Sequence, residues 1–180
     1  MYLWTAIDLD DQLPALLEAA QAVAEANASC NHALSLPLHV SLRISFFIND
    51  AQADAVIHRI IALLAAQKPF TLQPSAIEQS GDRLIWLRIA ESEALSRLHR
   101  QLVEGLQEEY GIPPHEFDLS FRYHASLFIG DCAGSADAAW RALKDLPYPE
   151  SLRADTFVIG CSATGQAGDY RVLRRIYTCA

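Results

Sequence analysis

The feature that most constrains this chain is a pair of alternating segments set 85 positions apart. In the first, Leu38, Val40, Leu42, Ile44 and Phe46 alternate with His39, Ser41, Arg43 and Ser45. In the second, Leu119, Phe121, Tyr123, Ala125, Leu127 and Ile129 alternate with Ser120, Arg122, His124, Ser126 and Phe128. Period-two alternation of this kind predicts strands with one face in an apolar core and the other polar. The two segments share a four-residue pattern, His39-Val40-Ser41-Leu42 and His124-Ala125-Ser126-Leu127, and 124 − 39 gives the offset of 85.

The surrounding pattern repeats with them. A strand over 2–8 leads into a helix capped by Asp10 or Asp11, with Leu13, Leu16, Leu17, Ala20, Val23 and Ala24 at helical spacing. A loop ending at Pro37 precedes the first alternating strand, and a helix over 51–67 follows it. A strand over 70–77, the Gly81-Asp82 turn and a strand over 83–89 lead to a helix that starts at Glu91-Ser92 and breaks at Gly111. After the second alternating strand come a helix around Ala136, Trp140 and Leu143 and strands near 154–161 and 170–178, joined by a turn over 165–169. Strand, helix, histidine-bearing strand and helix thus occur twice, and a final pair of strands closes the second copy.

This order predicts an α+β fold, duplicated and bilobal: two antiparallel sheets with helices on the outside and a central groove. The lobes are expected over roughly 1–80 and 81–180 of a single domain, with exchange of strands between them allowed. A chain of 180 residues, 51% of them apolar, can bury the core this needs.

The polar faces of the alternating strands meet the groove. Residues two apart on a strand share a side, about 7 Å apart, so His39 and Ser41 in one lobe and His124 and Ser126 in the other can converge on one phosphate. Cleavage of a phosphate ester needs such a set. One neutral imidazole takes the proton from the attacking hydroxyl or water, and an imidazolium opposite protonates the leaving oxygen. Hydroxyls and an arginine hold the non-bridging oxygens as charge builds.

The two His-x-Ser-apolar motifs, on matched strands of a duplicated chain of this length, resemble those of the two-histidine (2H) phosphoesterase superfamily. Within it the likeness is to the bacterial 2′-5′ RNA ligase-like and cyclic phosphodiesterase proteins. The resemblance implies a bilobal α+β fold, no metal or other cofactor, and hydrolysis or reversible ligation at 2′-linked or 2′,3′-cyclic phosphates. It implies that His39 and His124 are the acid–base pair and that Ser41 and Ser126 bind the phosphate, with serine standing where many relatives carry threonine.

Arg43 and Arg122 share the motif face on this alternation and are further phosphate-binding candidates. Tyr170 and Arg171 are candidates to line the groove, and Trp4, Trp86 and Phe128 to stack on a nucleobase. His32, His58, His99 and His115 have no metal-ligand spacing and read as ordinary.

The net charge of −8 speaks against broad electrostatic capture of long nucleic acid and for a nucleotide or RNA-end substrate held in a local pocket. No Gly-rich phosphate loop is present, no apolar run is long enough to span a membrane, and no obligate protein partner is indicated. Cys30, Cys132, Cys161 and Cys179 are scattered without a Cys-x-x-Cys pair, which fits a reducing, cytoplasmic setting. The alternative to an enzyme is a groove that retains a nucleotide or phosphorylated metabolite without turnover; two intact histidines favour catalysis.

Overall fold

The computed structural model describes residues 1–9, 11–26, 31–131, 135–166 and 168–178. Asp10, Ala167 and three of the cysteines, Cys30, Cys132 and Cys179, lie outside the described residues; Cys161 is buried with a free thiol.

The described strands are β1 (Tyr2–Asp8), β2 (His39–Phe47), β3 (Phe70–Leu72), β4 (Pro74–Ser80), β5 (Leu84–Ile89), β6 (His124–Ile129), β7 (Leu152–Ala154), β8 (Thr156–Ser162) and β9 (Arg171–Tyr177). The helices are α1 (Pro14–Ala26), α2 (Ala53–Ala65), α3 (Glu93–Tyr110) and α4 (Ser135–Leu143). Local chemistry sets several boundaries. Pro14 opens α1, where a missing N–H costs nothing. Ser92 caps α3 by accepting from the Leu95 amide, and Gly111 ends it in a left-handed conformation, φ 68°. The strand expected over 70–77 is divided at Gln73-Pro74 into β3 and β4, which belong to different sheets.

All strand pairs are antiparallel. The main sheet runs β4-β5-β6-β2-β1-β8-β9, and β3 with β7 makes a separate ribbon. The main sheet is two arms, β4-β5-β6 and β2-β1-β8-β9, joined through one pair, Val40↔Ala125. Each half of the sequence lends elements to the other's arm: β8 and β9 extend the sheet from β1, while α1 packs against β6 and α4. Helices α2 and α3 pack on each other, with α3 against β2 and α2 against β9; α4 backs β4, β5 and β6. One continuous apolar cluster under the helices includes residues from both arms. No helix of the described residues is long and apolar enough to cross a membrane.

Both motif strands break their alternation at corresponding places. Ala6 pairs with Ser41 but Thr5 with Arg43, so Leu42 is an extra residue. Trp86 pairs with Ser126 but Ile85 with Phe128, so Leu127 is an extra residue. Leu42 and Leu127 are again 85 apart. A bulge reverses the phase beyond it, and both Arg43 (1% exposed) and Phe128 (0%) are buried. The second segment is also shorter than its alternation suggests. Glu116–Ser120 is a 3-10 helix capped by His115, leaving Leu119 82% exposed, and the strand starts at His124.

Candidate active site

The single pair that joins the arms also assembles the motifs. Val40 and Ala125 are fully buried on the helix side, so their neighbours on each strand face the groove. Extending the register by one residue either way sets His39 opposite Ser126 and Ser41 opposite His124. Cross-strand neighbours lie about 5 Å apart and diagonal ones roughly 7–8 Å. That register is a rectangle with the two imidazoles at opposite corners. All four side chains are half-buried.

The imidazoles are held alike. His39 Nδ1 lies 2.7 Å from the carbonyl oxygen of Pro37, and His124 Nδ1 2.7 Å from that of Arg122, two residues back in each case. A carbonyl only accepts, so each Nδ1 carries a proton and Nε2 is the nitrogen suited to proton transfer. Behind each ring stands a tryptophan from the neighbouring strand: Trp4 at 4.6 Å from His39 and Trp86 at 4.3 Å from His124, centroid to centroid. The indole of Trp4 lies over Gly160, where a Cβ would meet its Nε1 at 1.9 Å, so β8 must carry glycine there. Trp86 Nε1 donates to Glu78 at 3.3 Å. Burial pushes the His124 imidazole below its ordinary value, with the bond to the Arg122 carbonyl opposing it.

The other candidates divide. Arg122 is exposed one residue before the buried Tyr123, and so keeps the groove side. Tyr170 lines a pocket beside His39 with Ser41, Trp4, Leu36 and Ile44; its hydroxyl shares a hydrogen bond with Ser45 and donates to the Gly165 carbonyl at 3.3 Å.

Arg43 does not reach the groove. The bulge turns it to the helix side, where it pairs with Asp118, donates to the Pro113 carbonyl at 2.8 Å and lies over the Phe46 ring. Arg171 is also misplaced by the expectation: it pairs with Cys161, a core residue, while its neighbours Tyr170 and Val172 take the groove side. Phe128 is core, and Trp4 and Trp86 lie against imidazoles, so the nucleobase platform expected of these three is not offered by Phe128 or by the buried Trp4.

Sequence reasoning missed four groups around the site. Asp8 pairs with His39 across β1–β2 and accepts from Arg175 Nε at 2.8 Å. Arg88 pairs with His124 across β5–β6 and is bridged to Glu78 at 3.3 Å. Asn31 holds the backbone just beyond Ser126, donating to the Leu127 carbonyl and accepting from the Ile129 amide, both at 2.9 Å. His99, read as ordinary, reaches the matching Leu42 carbonyl at 2.6 Å. Asp8 and Arg88 were accessible to the alternation in Trp4-Thr5-Ala6-Ile7-Asp8 and Trp86-Leu87-Arg88; Asn31 and His99 depend on contacts distant in sequence.

The fold is shared with solved structures. TT0787 of Thermus thermophilus superposes with a TM-score of 0.62 at 18% identity, covering 98% of this chain and 97% of that one. E. coli LigT complexed with 3′-AMP gives 0.57 at 18%, covering 99% and 98%. LigT complexed with NADP+ gives 0.58 at 18%, covering 99% and 97%. A search of curated protein sequences finds no match. The model of the 2′-5′ RNA ligase superfamily matches residues 9–162, a span that includes both histidine motifs. With that match joined to the two-motif groove, the chain belongs to the 2′-5′ RNA ligase superfamily, as the resemblance of its motifs to the 2H phosphoesterases implied.

Proposed function

We propose that the chain is a metal-independent phosphoesterase acting on 2′,3′-cyclic phosphates or 2′-5′-linked nucleotides and RNA ends, able to run in reverse as a ligase. The observation that carries this reading is the matched pair of imidazoles, each fixed through Nδ1 on strands that face one groove. His124, whose charged form burial disfavours, takes the proton from water as the water oxygen bonds to phosphorus. His39, protonated at Nε2, gives its proton to the 2′- or 3′-oxygen as the bond from phosphorus to that oxygen breaks. Ser41 and Ser126 donate to the non-bridging oxygens. With a 5′-hydroxyl in place of water as nucleophile, the same steps join two ends. LigT, of the same fold, has been solved with 3′-AMP, a nucleoside 3′-phosphate such as opening of a 2′,3′-cyclic phosphate releases.

The test is to incubate chelator-treated protein with 2′,3′-cyclic nucleotides and follow products by phosphorus NMR. Turnover persists in chelator, and His39→Ala or His124→Ala lowers it by about 10²–10⁴-fold. Full activity in either variant sinks the assignment. Tight calorimetric binding of a mononucleotide with no product makes the groove a binding module instead.

A further inference from the structure

The two arms match in their histidines and tryptophans but not in charge. The residue across from His39 is Asp8, 7% exposed and tied to Arg175. The residue across from His124 is Arg88. Cross-strand partners share a face, so each lies on the groove side behind its histidine. Arg122 joins Arg88 there: the Ile89 amide donates to the Tyr123 carbonyl, which carries the β5–β6 register past His124 and brings Arg122 onto the same face, diagonal to Arg88. On that face Arg88 and Arg122 flank His124, whose ring lies against Trp86.

We propose that Arg88 and Arg122 form a subsite for a second phosphate of the substrate, next to the one cleaved between the histidines; this rests on the phosphoester reading of the site. Arg88 is bridged to Glu78 at 3.3–3.5 Å, with both side chains more than a third exposed. An exposed pair of this kind contributes little to stability, so Arg88 can exchange Glu78 for a phosphate, the anion its planar fork suits best. The other arm differs. Its arginine, Arg175, is held by Asp8, a carboxylate only 7% exposed, and the pocket beside His39 is lined by Leu36, Ile44 and Tyr170, which suits an uncharged nucleoside. The groove is therefore polarised: nucleoside over β1 and β2, additional phosphate over β5 and β6. The preferred substrate carries two phosphates, the second being either a 5′-phosphate on the same nucleotide or the next diester of an oligonucleotide.

The probes are a nucleoside 3′-phosphate, its 3′,5′-bisphosphate and a dinucleotide ending in a 3′-phosphate, measured by calorimetry at low salt. The 2′,3′-cyclic forms of the same three are followed for kcat/KM. In the unmodified protein the second phosphate strengthens binding by about tenfold, the scale of a charge-assisted contact. The ratio of bisphosphate to monophosphate affinity falls in Arg88→Gln and approaches one in Arg88→Gln with Arg122→Gln. It rises in Glu78→Gln, which keeps an acceptor for the Trp86 indole and removes the competing charge. Arg171→Gln, on the opposite face, leaves it unaltered. Whichever of bisphosphate and dinucleotide shows the gain identifies the source of the second phosphate. A ratio near one in the unmodified protein, or one that survives the double substitution, overturns the proposal. Binding ratios as expected with no turnover of any cyclic form reject the phosphoesterase reading and leave the subsite standing.

Discussion

At the scale of single residues, the proposed chemistry turns on which imidazole is neutral. A histidine serves as base only unprotonated, and burial places His124 below its ordinary value of about 6.5. Lowering the pH through that value therefore leaves His124 able to accept a proton, and it becomes charged only further down. The acidic limb of kcat/KM for a 2′,3′-cyclic nucleotide is expected below about pH 6.5. Titration of the two imidazoles by NMR should assign that limb to His124; a limb that follows His39 instead reverses the roles. The motif residues themselves were legible because four positions on two alternating strands carry the whole pattern. Arg43 was not. Its sequence neighbours alternate without fault, and what removes it from the groove is an extra residue against β1, a property of the pairing rather than of the segment.

At the scale of elements, helices and strands with strong periodicity were legible, and boundaries that depend on partners were not. The Leu95, Leu98, Leu102 and Leu106 stripe of α3 is buried throughout, with its cap at Ser92 and its stop at Gly111 as local chemistry requires. The second motif strand, by contrast, loses its expected first five residues because Asp118 folds back on the His115 amide at 2.6 Å in a capping box. Past the Val40↔Ala125 pair the motif strands diverge, and each needs a partner for its bulge. Asn31 supplies it for β6. Asn31→Ala leaves the Leu127 carbonyl and the Ile129 amide without these bonds, at a cost of about 1–3 kcal/mol. The melting temperature should fall by roughly 2–4 °C for each kcal/mol in a protein of this size. Because Ser126 is the next residue, kcat/KM should fall with it at temperatures where the variant is folded. An unchanged melting temperature would show that β6 does not depend on Asn31.

At the scale of the whole molecule, the question is what sets the two arms at the spacing the chemistry needs, given one ladder pair between them. On the helix side the answer is Arg43 and Asp118, which link β2 to the segment that leads into His124. Both side chains are 1% exposed. Burial pulls the guanidinium below its ordinary value, and the charge and hydrogen bond of Asp118 oppose that. The arrangement stabilises only while both members are present. Arg43→Met strands a buried carboxylate, and a loss of about 3–5 kcal/mol is expected in denaturant unfolding. Adding Asp118→Leu removes the stranded charge and should return most of that loss, less the contribution of the cap to His115, because an apolar pair can replace a buried ion pair at little cost. Activity separates the two consequences. If the pair serves only stability, the double variant recovers kcat/KM together with its folding free energy. If the ion pair also fixes the spacing of the motifs, stability returns while kcat/KM stays low, since apolar contact does not impose the direction that a guanidinium–carboxylate bond does. The second outcome is expected, because Arg43 is two residues from Ser41 and Asp118 is six from His124, so a shift between them passes directly to the two corners of the site.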